Sequence, residues 1–320
     1  MKKFDVVALG ELLIDFTENG MSDQKNVVYE ANPGGAPCNV LSMLNNLGRK
    51  TAFIGKVGYD MFGKHLKTVL EKVGIDTSGL VMDYDVRTTL AFVKTLPGGD
   101  RDFSFYRNPG ADMMLDKEEI KEELIRNAKL FHFGTLSMTH EKVYTATKKA
   151  IATAEENGAL RSFDPNIRLP LWKSEDEAKQ KAAYGFGHCD ILKIADNELL
   201  WFTGEKDLNA GIKKLKEQYS IPLILLSLGC DGSRAYYKDL CVAAAPFLRE
   251  NTVDTTGAGD TFCACCLSFV LQYGIDGLDQ EKLKEMLIFA NAAASIITTR
   301  KGALRVMPTK KEVEELSGKF

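Results

Sequence analysis

The chain has 320 residues, 45% hydrophobic and 27% charged, with a formal net charge of -3. That balance is ordinary for a globular protein and excludes the basic footprint of a nucleic-acid or membrane-surface binder. No apolar run approaches the roughly 18 residues a membrane-crossing helix needs, and the length suits one large α/β domain with a small appendage.

After Met1-Lys2-Lys3, residues 4–9 predict a first β-strand. Their apolar stretch is short and contains Asp5, unlike the core of a signal peptide. Further strands are predicted at 52–57, 130–133, 160–163, 190–194 and 223–228. Helical patterns lie between and after them, at 60–73, 117–128, 141–157, 207–219, 260–273 and 280–299. In the first of these, Phe62, Leu66, Val69, Leu70 and Val73 form one apolar stripe. Short apolar strands alternating with helices predict an α/β fold, a mainly parallel central sheet flanked by helices on both faces. In such sheets ligands bind beyond the carboxyl ends of the strands.

Residues 12–31 and 85–107 break this rhythm with β-type residues, and Pro97-Gly98-Gly99-Asp100 carries a hairpin-turn signal. They predict a small separate β-sheet that forms a lid on a single domain spanning 1–320. An exposed sheet of that kind is suited to pair with a second copy as a homodimer. The seven cysteines lack paired spacing, and the four histidines (His65, His132, His140, His188) are dispersed. The expectation is reduced core thiols in a cytoplasmic protein, without a structural metal.

Two segments carry chemistry. In residues 251–262 a strand-like run ends in Thr255 and Thr256, followed by Gly257-Ala258-Gly259 and a helix beginning at Asp260. A helix start with bare glycine N–H groups is an anion site, and Asp260 beside it is suited to take a hydroxyl proton. By itself the segment reads equally as an N-capping aspartate after a glycine turn. In the second segment, Gly34-Gly35-Ala36-Pro37-Cys38-Asn39 precedes an apolar helix. Paired glycines let a small polar ligand approach the backbone, Asn39 offers a donor and an acceptor, and Asp15 can accept two hydroxyls. Residues 58–65 nearly spell a phosphate-wrapping P-loop. They fail it at His65, where a hydroxyl residue is required, and in the bulk of Tyr59, Met61 and Phe62.

These two segments, with Gly55-Lys56-Val57-Gly58-Tyr59-Asp60-Met61-Phe62-Gly63 and Phe163-Asp164-Pro165-Asn166-Ile167-Arg168, stand in an order that resembles the ribokinase-like (phosphofructokinase-B) carbohydrate kinases over the full chain. Tyr106-Arg107-Asn108-Pro109-Gly110-Ala111-Asp112 and the Gly-Ala-Pro-Cys-Asn form of the second segment look most like its fructokinases. The resemblance implies ATP, with Mg2+, phosphorylating a small sugar, most similarly fructose to fructose 6-phosphate. It implies Asp260 as base, Gly257, Ala258 and Gly259 as the anion hole, and Arg168 facing the substrates. Asp15, Gly34, Gly35 and Asn39 match sugar contacts, with Phe105 and Arg107 on the lid side and Asp60 and Gly63 near the sugar. Ser227, Gly229 and Gly232 match a nucleotide-binding turn, and Asn291 an adenine-side position. Where the family carries Asn-x-x-Glu for magnesium, this chain has Ala195-Asp196-Asn197-Glu198, which leaves Glu198 to act through water. Asp254, Thr256, Arg300 and Gly302 match positions of a K+ loop, although Val306 stands where some relatives have a hydroxyl. Kinases acting on 2-keto-3-deoxygluconate, ribose or nucleosides remain alternatives in the same family. A non-catalytic sugar-binding regulator is opposed by the intact Asp260 and Gly-Ala-Gly.

Overall fold

Alternate residues of the first strand, β1 (Phe4–Leu9), serve two different cores: Val6 and Ala8 pack into one cluster, Val7 and Leu9 into the other. A strand buried on both faces is what a helix-covered parallel sheet requires. The computed structural model describes residues 2–95 and 101–318. Two hairpin strands, β2 (Leu13–Met21) and β3 (Val27–Gly34), follow β1, and then come β4 (Thr51–Gly58), β5 (Asp76–Asp83), β6 (Leu90–Thr95) and β7 (Arg101–Tyr106). The second half contributes β8 (Ala128–Gly134), β9 (Leu160–Asp164), β10 (Ile191–Ala195), β11 (Leu223–Ser227), β12 (Ser233–Tyr237) and β13 (Leu240–Ala244).

Nine strands form the central sheet in the order β13-β12-β11-β10-β9-β8-β1-β4-β5. Pairing is parallel from β11 through β5 and antiparallel only at β11–β12 and β12–β13. One face is covered by α1 (Ala36–Asn46), α2 (Met61–Lys72), α8 (Ala258–Tyr273), α9 (Gln280–Ile297) and α10 (Lys310–Ser317). The other carries α3 (Glu122–Arg126), α4 (Glu141–Glu156), α5 (Glu175–Phe186), α6 (Asp196–Thr203) and α7 (Leu208–Gln218). The parallel order puts the carboxyl ends of β1, β8, β9, β10 and β11 along one rim.

The small sheet is separate, in the order β3-β2-β6-β7, with β2 parallel to β6 and the outer pairs antiparallel. The hairpin-turn signal at 97–100 lies outside the described residues. Strand alternation gives this sheet two faces. Leu13, Asp15 and Phe105 point to one side, while Phe16, Tyr29, Phe92 and Tyr106 form a linked aromatic group on the other.

Several expectations shift. The helix predicted over 117–128 is a 3-10 turn, Lys117–Glu119, then the short α3, because an Asp116–Glu119 capping box closes the first turn and Ala128 already belongs to β8. Residues 251–256 form no strand. Helix α8 starts at Ala258, two residues before the predicted Asp260, with Gly257 in a left-handed conformation (φ +78°) as its cap. All seven cysteines are free thiols, five of them in the core, whereas Cys230 and Cys241 are exposed.

Candidate active site

The amino end of α8 meets the rim of the sheet between two cavities. The first, about 620 Å³, lies beyond β10 and β11 and is walled by Phe247, Leu248, Ala294 and Phe262. Ser227, Gly229 and Gly232, expected as a nucleotide-binding turn, and Asn291, expected on the adenine side, all line it. Gly232 has φ +94°, and a Cβ there would collide with the Ala244 carbonyl, so the turn needs glycine. Asn291 is committed internally: it accepts from Ser233 Oγ at 2.9 Å and donates to the Ala245 carbonyl at 2.9 Å. It thereby holds the wall of the cavity.

The second cavity, about 350 Å³, lies under the small sheet and is lined by Glu11, Asp15, Gly35, Asn39, Phe105, Asn166, Arg168 and Asp260 among others. Gly34 abuts it: a Cβ on Gly34 would strike Asp15 Oδ2. Gly35 has φ +125°, and a Cβ there would strike the Glu11 carbonyl. The Glu11 carboxylate accepts the Ala36 N–H at 2.7 Å, anchoring the start of α1.

Asp260 is the third residue of α8, and its carboxylate accepts from Asn39 Nδ2 at 2.8 Å. Burial pushes its pKa up to about 6; nearby Asp164 adds to the rise, while the Asn39 bond, Lys193 and Arg168 oppose it. A carboxyl poised near neutrality is matched to taking a hydroxyl proton. Thr261 N–H donates to Gly257 O at 2.8 Å and closes the first helical turn. Ahead of it, Ala258 N–H donates to the Thr255 carbonyl at 3.3 Å, and a helix start offers its remaining N–H groups to an anion. Lys193, Thr255 and Gly259 line both cavities and so mark their junction.

The sequence of the pfkB family carbohydrate kinases matches residues 3–310. The chain belongs to this family. It is an ATP-dependent carbohydrate kinase. It is 42% identical over 306 residues to probable fructokinase-2 of Arabidopsis thaliana, covering 95% of this chain and 93% of that protein. The fructokinase of Xylella fastidiosa, solved with bound ATP, superposes with a TM-score of 0.90 at 31% identity, over 99% of this chain and 98% of that one. A double mutant of the Vibrio cholerae O395 fructokinase, solved with fructose, ADP and potassium ion, gives 0.88 at 26% identity over 99% of both chains.

Not every residue expected in the kinase site lines a cavity. Arg107 does not line the polar cavity: its Nε donates to Asp112 at 2.8 Å, Nη1 to Thr139 Oγ1 at 2.7 Å and Nη2 to the Leu136 carbonyl at 2.9 Å. Strand period would have set it beside Phe105, but β7 ends at Tyr106 and the chain turns inward. Asp60 and Gly63 tie the start of α2 to Thr88, through Asp60 bonds of 2.8 Å to Gly63 N, Thr88 N and Thr88 Oγ1. Glu198 is buried, accepting Ile167 N–H at 2.7 Å and Ala195 N–H at 3.0 Å, so it joins the ends of β9 and β10. Burial raises its pKa against the pull of Lys193. Asp254 Oδ1 accepts Thr256 N–H at 2.8 Å and Oδ2 accepts Gly302 N–H at 3.2 Å, bringing the two halves of the expected cation loop together. The Arg300 side chain pairs with Glu312 and donates to the Val306 carbonyl at 2.9 Å.

Sequence reasoning assigned no role to Glu11, Asn166 or Lys193. A signal for the last was present: Lys193 is a lone charge inside the apolar run Ile191-Leu192-Lys193-Ile194. A charge kept in a buried strand is paired or functional.

Proposed function

We propose that the kinase transfers the γ-phosphoryl group of ATP to the 6-hydroxyl of fructose. The hydroxyl proton passes to Asp260, the sugar oxygen forms the new P–O bond, and the bond to the leaving ADP oxygen breaks. The observation that carries this reading is the position of Asp260, on the wall of the polar cavity and beside the helix start that borders both cavities. Gly257, Ala258 and Gly259 serve as the anion hole, and Arg168 opposes charge on the phosphoryl. Asp15, Gly34, Gly35 and Asn39 hold the sugar, with Phe105 above it. Ser227, Gly229 and Gly232 take the nucleotide, and Asn291 shapes its pocket.

Relatives named as fructokinases over nearly the whole chain support fructose. So does the commitment of Arg107 to Asp112, which leaves Arg168 as the arginine lining the sugar cavity and weakens the case for an acidic sugar. Turnover measured on fructose, ribose, 2-keto-3-deoxygluconate and adenosine tests the choice. Fructose is expected to be the best substrate, and comparable or better turnover on another of the four overturns it.

Mg2+ arrives on the ATP phosphates. Among the described residues no group of three or more His, Cys, Asp or Glu forms a cage for it. Glu198, with both carboxylate oxygens on backbone N–H groups, reaches the ion through water, as magnesium's retained hydration permits. K+ sits in the loop of Asp254, Thr256, Arg300 and Gly302, a reading supported by the potassium-bound Vibrio relative. Activity that is the same in Na+ and K+ would remove it. The small sheet of β2, β3, β6 and β7 acts as a lid whose closure excludes water. The far face of that sheet, with Tyr106 66% and Tyr29 44% exposed, pairs with a second copy; sedimentation as a monomer at micromolar concentration would refute this. A cytoplasmic location fits the seven free thiols.

A further inference from the structure

Lys193 occupies a costly position. It lies on β10 with only 6% of its surface exposed, and its neighbours Leu192 and Ile194 belong to the core on the opposite side of the sheet. Its Nζ stands 3.0 Å from Asp164 Oδ2 and 3.3 Å from Oδ1. On its other side it meets α8: a Cβ built on Gly259 would be 3.1 Å from Nζ. The ammonium is therefore packed against the helix start, at the junction of the two cavities it lines. An ammonium has three N–H donors, and the Asp164 oxygens occupy at most two.

A buried ion pair is weak as a stabilising device, since apolar residues of similar volume often replace it without loss. Here the ammonium lines both cavities, where a group crossing between them must pass. Ala195 follows on the same face of β10, two residues on, and lines the first cavity beside Lys193.

We propose that Lys193 is a catalytic residue that contacts the oxygens of the transferring phosphoryl group and holds the negative charge that builds as the bond to ADP breaks. This rests on the kinase reading above. Lys193 stays protonated throughout; the sugar proton goes to Asp260. Burial alone would discharge the ammonium, but Asp164, Glu198 and Asp260 outweigh it and keep the pKa above its ordinary value. The charge is thus present across neutral pH, where Asp260 is ionised.

The test compares wild type with Lys193→Met in steady-state kinetics and in binding of sugar, ADP, and sugar plus ADP–fluoroaluminate, a mimic of the transferring group. The expected result is a fall in kcat of about 10²–10³-fold, with a parallel loss of affinity for the fluoroaluminate complex. Affinities for sugar alone and ADP alone should stay within about threefold, the mark of a group acting on the transition state. Because Lys193→Met leaves Asp164 buried and unpaired, the double variant Lys193→Met, Asp164→Asn provides a folded control. Turnover restored in the double variant would show that Lys193 only neutralises Asp164 and would overturn the proposal. Undiminished turnover or fluoroaluminate binding in Lys193→Met would overturn it too. A wild-type protein inactive on every sugar would instead sink the kinase reading, so the two failures are distinct.

Discussion

Asn39 Nδ2 donates to Asp260 Oδ2 at 2.8 Å, joining residues 221 positions apart. The bond ties the start of α1 to the first turn of α8, so the glycine segment expected to hold the sugar is fixed against the expected base. The other side-chain atom of Asn39, Oδ1, is buried without a hydrogen-bond partner. Such an atom carries a desolvation cost unless something donates to it, and a sugar hydroxyl would do so.

This geometry predicts a linked pair of results. Asp260→Asn should retain sugar affinity and lose turnover by about a hundredfold or more, the scale of a missing general base. In wild type, kcat/KM should fall on the acid side with an apparent pKa near 6, as protonation removes the base. Asn39→Ala should weaken sugar binding and also move that acid limb to higher pH, because the lost bond was one that favoured the carboxylate. A limb that stays in place would separate Asn39 from Asp260 electrostatically.

Glu11 carries a different pH signature. Burial raises its pKa from 4.5 to about 7, against the opposing bonds from its own and the Ala36 N–H groups. Below the unfolded value the group is protonated in both states and contributes no slope. Between 4.5 and about 7 the unfolded chain releases the proton that the folded chain retains, so stability falls as pH rises. Above about 7 the penalty is complete. Glu11→Gln keeps an acceptor for Ala36 N–H and removes the charge, so it should raise stability at pH 8 by roughly 1–3 kcal/mol and change it little at pH 4.5. Urea unfolding at the two pH values measures this.

Arg107→Ala should act on folding before it acts on substrate. Its guanidinium is 3% exposed and Asp112 2%, and Asp112 also accepts from Thr89 Oγ1. Removing the cation leaves a buried carboxylate short of its partner, at a cost of about 3–5 kcal/mol. The urea midpoint should drop accordingly. A normal midpoint with only a raised KM for sugar would return Arg107 to the substrate.

The paired glycines should respond unequally to alanine. At Gly34 the obstacle is the end of the Asp15 side chain, which can rotate away; sugar KM should rise with the fold intact. At Gly35 the obstacle is the Glu11 backbone, and φ +125° is itself strained for alanine. Gly35→Ala should lower the unfolding temperature markedly, as strain at a special backbone conformation does. Thermal melts and sugar titrations of both variants distinguish the two.

The layered α/β frame was legible because periodicity is local. The strands at 4–9 and 223–228 and the helix at 141–157 were each predicted within a residue or so of their observed bounds. Over 117–128 the structure departs from one continuous helix because helical spacing is shared by a capped 3-10 turn and a short helix, and the Asp116–Glu119 capping box closes the first turn. Candidate site residues are legible where backbone chemistry makes its own signature, as in Gly34-Gly35 and Gly257-Ala258-Gly259. They were illegible where the signature is only a partner: Arg107 looks the same in sequence whether it faces a sugar or Asp112.

The amino-acid sequence by itself determined the parallel sheet, the extra small sheet and the two glycine segments, since each follows from residues near one another in the chain. It also placed the likeness to carbohydrate kinases. Tertiary structure alone decided that Asn39 holds Asp260, that Glu198 spends its carboxylate on two backbone N–H groups, and that Lys193 stands between the cavities. These depend on distances between segments up to 221 residues apart, and a hydrogen bond exists only where folding brings donor and acceptor within about 3 Å.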